Sequence, residues 1–201
     1  MATAATIQPT LEHGERLSLA EFLWRWEQMP ELKNAELIEG IVYLASPVSR
    51  IHWVFDRLFH AWLHRYLEVV EGFEIAPNPT CLLEGNAFQP DIALCRLRPG
   101  EEYNYIETAP ELIVEISNST RSLDLGPKLA GYRTAGVKEY IAVLVKSKRV
   151  EWRVLAGSAY RLLQPDAAGL IHSPSFPGLI LDIGAVFPPD IKRMMAAIKP
   201  A

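Results

Sequence analysis

Two carboxylates stand where a buried strand would not choose them. In Gln89-Pro90-Asp91-Ile92-Ala93-Leu94-Cys95, Asp91 opens an apolar run, and in Leu112-Ile113-Val114-Glu115-Ile116-Ser117, Glu115 lies inside one. Burying a carboxylate costs several kcal/mol unless a cation, a metal or hydrogen-bond donors offset it. If the two runs are antiparallel neighbours, the start of the first lies opposite the end of the second, which brings Asp91 close to Glu115. Close carboxylates repel and raise each other's pKa unless they share a cation. Hard divalent ions such as Mg²⁺, with Mn²⁺ as a substitute, take oxygen ligands of this kind together with substrate phosphate oxygens. Phosphodiester hydrolysis is the reaction class that fits best, because a metal there polarises phosphorus and acidifies the attacking water. Lys128 lies four residues after Asp124 and four before Tyr132. The spacing predicts one shared face of the helix that follows Glu115, from which Lys128 could reach a phosphate oxygen or the water. Glu36, at the start of an early strand, is the remaining acidic candidate. A structural reading stands beside this one: Asp91 bonding a turn, Glu115 ion-paired to Lys128, and Glu36 solvated at a strand end. Spacing alone leaves both open, since structural ion pairs also perturb buried carboxylates.

The elements that must position these residues can be read from periodicity. Ser18-Leu19-Ala20-Glu21 is a capping box, with Leu17 and Phe22 placed for a hydrophobic staple, and predicts a short helix to about Gln28. Residues 36–45 read as a strand or a hairpin with Gly40 at the bend, ended by Ser46-Pro47. Apolar residues from Ile51 to Val70 recur at steps of three and four and draw one stripe down a long helix. Short β-like runs follow at 73–76, 80–83, 89–95, 112–117, 139–145 and 150–155, separated by turns such as Glu84-Gly85-Asn86. A second helix is predicted over 125–134, with Gly136 as its cap. Gly126-Pro127 predicts that this helix begins there and that Lys128 sits at its N-terminal end. The order is that of an α/β (α+β) domain with a mixed central sheet flanked by helices. It is expected to span residues 15–190, between a flexible N-terminal tail (1–14) and a C-terminal tail (191–201). No second core, internal repeat or low-complexity tract is visible.

Composition narrows the function classes. The chain has 201 residues, 20 Lys+Arg against 24 Asp+Glu, and a formal net charge of −4. A chain of this length builds a core without a disulfide or structural metal, and its apolar content excludes disorder. Cys81 and Cys95 lie in apolar runs without CxxC spacing and read as buried thiols. Neither a membrane span nor a signal peptide is legible, so a cytoplasmic location is expected. The acidic balance argues against sequence-independent coating of nucleic acid, although not against a nuclease whose carboxylates hold metal.

His52, Asp56, His60 and His64 recur at four-residue steps on the long helix, and His60 with His64 has the spacing of two zinc ligands. No Glu follows His60, so the metalloprotease motif is absent, and a helix-borne zinc hydrolase is a minor alternative. Lys146, Lys148, Arg149 and Arg153 cluster at the last clear hairpin and could contact phosphate, or simply solvate a turn. The loop 96–110, with Tyr103 and Tyr105 among Glu101, Glu102 and Glu107, is expected to border the substrate because it joins the two carboxylate-bearing strands.

The ordered set Ala35-Glu-Leu-Ile-Glu-Gly40, Gln89-Pro-Asp-Ile-Ala93, Glu111-Leu-Ile-Val-Glu-Ile-Ser117, Ser119-Thr120, Asp124 with Lys128 and Tyr132, and Ala135-Gly-Val-Lys-Glu-Tyr140 resembles the Uma-type restriction endonuclease family of the PD-(D/E)XK nuclease superfamily. The likeness runs from about Leu17 to Leu155. It implies a restriction-endonuclease-like fold and Mg²⁺-dependent endonuclease activity on DNA, with RNA left open. Pro90-Asp91 becomes the PD element, Glu115 the second metal-binding carboxylate, and the backbone carbonyl of Ile116 a further metal ligand. Ser117 occupies the usual Lys position, so Lys128 becomes the basic residue, with Glu36 assisting. His52, after a Ser-Pro turn, would border the cleft. Cutting both strands of a duplex calls for two sites, which a homodimer would supply. The alternative is a non-catalytic nucleic-acid-binding or regulatory module that keeps the fold. With little positive charge in reserve, binding to DNA is expected to be weak, salt-sensitive and metal-dependent.

Overall fold

A computed structural model describes residues 10–45, 47–98, 100 and 104–199. Helix α1 (Leu19–Glu27) starts as the capping box predicts: the Ser18 hydroxyl accepts from the Glu21 N–H at 3.2 Å. Strands β1 (Ala35–Ile38) and β2 (Ile41–Leu44) form a tight hairpin. Its two turn residues, Glu39 and Gly40, both have positive φ (52° and 75°), the backbone that a two-residue hairpin turn requires. Strands β3 (Phe73–Pro77), β4 (Cys81–Leu83) and β5 (Asn86–Phe88) follow the long helix α2 (Arg50–Leu67). β1 pairs with β5, giving a small antiparallel sheet in the order β2-β1-β5-β4. Against it α1 buries Phe22, with Leu11 and Leu37.

The larger sheet adds β6 (Ile92–Arg96), β7 (Leu112–Ser117), β8 (Glu139–Leu144), β9 (Arg149–Ala156) and β10 (Ala159–Leu162), in the order β10-β9-β8-β7-β6-β3. β7 and β8 pair in parallel and every other pairing is antiparallel. A parallel pair needs a crossover, here supplied by helices α3 (Arg121–Asp124) and α4 (Pro127–Ala135). All residues of β7 and β8 are buried, as strands covered on both faces must be. Alternation divides them. Leu112, Val114 and Ile116 pack under Phe59, Trp62 and Leu63 of α2. Ile113 packs on the other face with Tyr132 of α4 and Phe88, and Glu115 points the same way.

Of the C-terminal tail expected over 191–201, residues 191–199 are instead a structured part of the domain, and Pro200 and Ala201 lie outside the described residues. Strands β11 (Leu170–His172) and β12 (Ile180–Asp182) form a ribbon, and α5 (Ile191–Ala196) buries Met194 completely. Arg193 grips both Asp182 oxygens at 2.6 and 2.9 Å, and the Trp62 indole donates to the Ile180 carbonyl at 2.9 Å. The short, interrupted apolar spacing of this segment conceals an element whose packing comes from α2, more than a hundred residues earlier. At the other end, the tail expected over 1–14 falls partly outside the described residues. From Thr10 on the chain is packed, with Leu11 buried and the Gly14 N–H donating to the Val42 carbonyl at 2.8 Å. Among the described residues no helix is long and apolar enough to cross a membrane.

Candidate active site

β6 and β7 are antiparallel with Ile92 opposite Val114, so Asp91, one residue before β6, meets the end of β7. Asp91 Oδ2 accepts from the Ile116 N–H at 2.7 Å. The same register sets Ile116 opposite Pro90, which has no N–H to offer, so the sheet ladder provides no donor there for the Ile116 carbonyl. His52, in the first turn of α2, places Nε2 3.0 Å from Asp91 Oδ1. That hydrogen bond raises the imidazole above its ordinary value; burial opposes the shift and the Asp91 charge reinforces it.

Glu115 projects to the α4 side. Lys128 Nζ lies 2.6 Å from Glu115 Oε1 and 2.9 Å from Glu36 Oε1, and the Tyr132 hydroxyl donates to Glu115 Oε1 at 3.0 Å. Lys128 and Tyr132 do share a helix face, as their spacing predicts. Asp124 does not belong to that face, which corrects the single-helix reading. The helix breaks at Gly126, where a Cβ would come within 2.6 Å of the Ser122 carbonyl, and Pro127 restarts it. Asp124 therefore ends α3 and accepts from the hydroxyls of Ser117 (2.6 Å) and Thr120 (2.5 Å). Ser117 is thereby committed to Asp124.

Glu36, on β1, accepts from the Gln89 N–H at 2.7 Å through the oxygen that also meets Lys128. This backbone donor tethers the Gln89-Pro90-Asp91 segment to the small sheet, and no residue type in the sequence signals it. Glu36, Lys128 and Glu115 thus meet directly, and Asp91 stands near enough for its charge to act on Glu115. Exposure sorts them by depth: the Asp91 and Glu36 side chains are 20% and 17% exposed, those of Lys128 and Glu115 4% each. Burial pushes the Glu115 carboxyl upward, Lys128 opposes this, and Asp124, Asp91 and Glu36 add to it. Burial would lower the Lys128 ammonium, but Glu115, Glu36 and Asp124 together hold it well above its ordinary value.

Around Glu115 stand three further carboxylates, Asp124, Asp91 and Glu36, against one lysine; with the His52 imidazole turned to Asp91, the cleft is rich in carboxylate oxygens, a donor set suited to a hard dication. Among the described residues no group of three or more His, Cys, Asp and Glu side chains is placed to hold a metal ion. A cation here would rest on two carboxylates, with the Ile116 carbonyl as third donor. Glu115 Oε1 is taken by Lys128 and Tyr132, which leaves Oε2 for such a role.

The remaining candidates do not join this centre. His60 turns Nδ1 to Asp56 on its own helix, 3.2 Å from Oδ1, and His64 is exposed, so the zinc spacing does not form a site. Lys146, Lys148 and Arg149 lie at the same end of the sheet as Glu115, because β7 and β8 run parallel. Arg149 and Arg153 are both engaged by Glu151. Antiparallel geometry sets the two ends of the loop 96–110, after β6 and before β7, at the opposite end of the sheet from Asp91, but its Ile106 returns to β4, donating to the Thr80 carbonyl at 2.9 Å and accepting from the Leu82 N–H at 2.8 Å. Its described part, which includes Tyr105 and Glu107, lines a cleft of about 600 Å³ with the end of β6; Glu101, Glu102 and Tyr103 lie outside the described residues. Cys95 is a buried thiol pushed up to about 12, and burial raises Cys81 further, as expected of inert cysteines.

A mixed sheet covered by helices on both faces, with carboxylates at adjacent ends of two antiparallel strands, defines an α/β domain of nuclease-like fold. The chain belongs to the Uma2 family, described as "Putative restriction endonuclease", whose model matches residues 19–184. Its fold is similar to that of a putative nuclease belonging to DUF820 from Anabaena variabilis, with a TM-score of 0.68 and 19% identity over 86% of this chain and 98% of that one. No curated protein sequence matches the chain.

Proposed function

We propose that this protein is a Mg²⁺-dependent endonuclease of PD-(D/E)XK type that hydrolyses phosphodiester bonds of nucleic acid, DNA foremost. The observation that carries the reading is the convergence of Asp91 and Glu115 from neighbouring strands, with Lys128 between Glu115 and Glu36. Asp91, Glu115 and the Ile116 carbonyl are the groups that would hold Mg²⁺ or Mn²⁺. Bound there, the ion would supply Lewis-acid activation of the phosphoryl group and of water. Asp91 is oriented from two sides, by the Ile116 N–H and by His52, and Glu115 by the Tyr132 hydroxyl. Lys128, with its pKa raised, stays protonated at neutral pH. It therefore acts as a fixed positive charge and hydrogen-bond donor to developing negative charge, and not as a base. Double-strand cutting would require a second copy of the chain, and location in the cytoplasm accords with a nucleic-acid substrate.

A second reading draws on the same lysine. Lys128 is buried and engaged by two carboxylates, as a structural ion pair would be, which suits a module that binds nucleic acid without cutting it. Plasmid nicking by purified protein with Mg²⁺ or EDTA, compared with Asp91→Ala and Lys128→Ala, separates the two. Metal-dependent nicking lost in both variants supports the nuclease. Equal activity in all three proteins removes the site assignment, and binding without cleavage of any DNA or RNA favours the module.

A further inference from the structure

Beside the candidate site, α2 carries a surface that hydrolysis does not use. Arg50, Trp53 and Arg57 recur at steps of three and four, so they form one stripe along the helix. His52, the residue next to Trp53, holds Asp91 at 3.0 Å. The stripe therefore begins where the cleft opens. Trp53 is 46% exposed. The Arg50 guanidinium lies 5.9 Å from the Trp53 ring centroid. The indoles of Trp26, Trp62 and Trp152 each donate to an oxygen of the fold; among the described residues Trp53 has no such anchor. Arg65, further along α2, is paired with Glu68, whereas Arg50 and Arg57 have no ion-pair partner among the described residues. The first turn of the helix contains no acidic residue. In a chain of net charge −4, two unpaired guanidiniums flanking a half-exposed indole form a local cationic, aromatic surface.

We propose that this stripe is a stacking platform for an unpaired base of the nucleic-acid substrate, with Arg50 and Arg57 on the adjoining phosphates, so that the preferred substrate is single-stranded or frayed. The inference rests on the nucleic-acid reading of the neighbouring site. A flat indole in water offers stacking to any base that has left its helix, whereas the bases of a continuous duplex present only their edges. The guanidiniums serve two purposes: cation–π contact orients the ring, and positive charge complements phosphate. Because every base has a π-face, such a platform selects for strandedness and not for sequence.

The test is equilibrium binding of a short fluorescein-labelled oligodeoxynucleotide to the full chain with Mg²⁺ present, cutting being suppressed by a phosphorothioate backbone. Trp53→Ala should weaken single-strand binding roughly five- to a hundredfold and leave duplex binding within about twofold. Trp53→Phe should retain most of the affinity, and an abasic strand should bind wild type as poorly as an ordinary strand binds Trp53→Ala. Arg50→Gln and Arg57→Gln should weaken both forms of DNA and each lower the salt slope by about one. Equal single-strand binding by wild type and Trp53→Ala overturns the proposal. So does Trp53 emission that responds to phosphatidylserine vesicles and not to the oligonucleotide, the mark of a membrane contact. Trp53-dependent binding without cleavage in any metal preserves the platform and sinks the hydrolytic reading. Metal-dependent nicking that Trp53→Ala leaves unchanged on single and double strands does the reverse.

Discussion

Glu115 and Glu139 are both buried glutamates on adjacent parallel strands, and they have been given opposite environments. Glu139, fully buried, is held by neutral donors on both oxygens: the Trp152 indole at 2.7 Å on Oε2, and the Ser173 hydroxyl (2.7 Å) and Ser175 N–H (2.9 Å) on Oε1. Those donors belong to β9 and to the segment that carries the C-terminal ribbon, so Glu139 ties the end of the chain to the sheet. Glu115 has one oxygen engaged by a lysine and a tyrosine, with three further carboxylates close enough to act on it. Burial is thus no guide to chemistry. A carboxylate saturated by neutral donors is structural, whereas one that shares a single lysine with neighbouring carboxylates and keeps an oxygen to spare is where the proposed cation would bind.

The largest effect should come from exchanging the two fates. Glu115→Gln keeps the shape and removes the charge; metal-dependent nicking should fall about a thousandfold while the protein stays folded. Glu139→Ala should do the opposite: nicking per folded molecule persists, but three stranded donors cost about 3 kcal/mol, a fall of roughly 6–12 °C in the thermal midpoint. If Glu139→Ala abolished nicking without loss of stability, the contrast would collapse.

Next in size is Lys128→Met, which strands the Glu115 carboxylate and should cost about 3 kcal/mol by denaturant titration. Adding Glu115→Gln should recover most of that stability and none of the activity. Recovery of both would make the pair structural only.

Gly131→Ala probes the support behind Glu115. A Cβ there would sit 2.4 Å from Phe88 Cζ, and Phe88 packs on the Tyr132 ring with centroids 4.7 Å apart. A loss of about 2 kcal/mol is expected, with weaker nicking as Tyr132 shifts from Glu115.

The smallest effect concerns His52. Its folded pKa is raised above the ordinary 6.5, first by the hydrogen bond to Asp91. The stability it contributes is complete below the unfolded value and is lost as pH rises through the folded one. His52→Gln should therefore flatten the decline in stability as pH rises above the ordinary histidine range, as measured by denaturant midpoints. A decline of unchanged slope would show that the pair is not formed.

Much of this arrangement is legible in residue order, for local reasons. The Ser18 cap, the stripe of α2 and the Glu39-Gly40 turn act over a few residues. Asp91 and Glu115 announce themselves because an acid in an apolar run is anomalous on its own. Glu139 also opens a buried strand, yet its role stays hidden because its donors lie 13 to 36 positions away and include a backbone N–H. The Glu36–Gln89 tether spans 53 positions through another backbone N–H and stays hidden for the same reason. The C-terminal helix reads as a tail because its short apolar pattern has no partner nearby in the chain.

The sequence by itself determined the anomalies and the local elements: two carboxylates inside apolar strands, a lysine and tyrosine one helical turn apart, and a break at Gly126-Pro127. Only the tertiary structure decided which acid meets which donor, that Asp124 leaves the Lys128 face, and that the loop joining the carboxylate strands starts and ends at the far end of the sheet and returns through Ile106 to β4. The reason is geometric. Side-chain periodicity encodes which face is buried, whereas partners across strands are set by register and crossover, which exist only once distant segments have packed together.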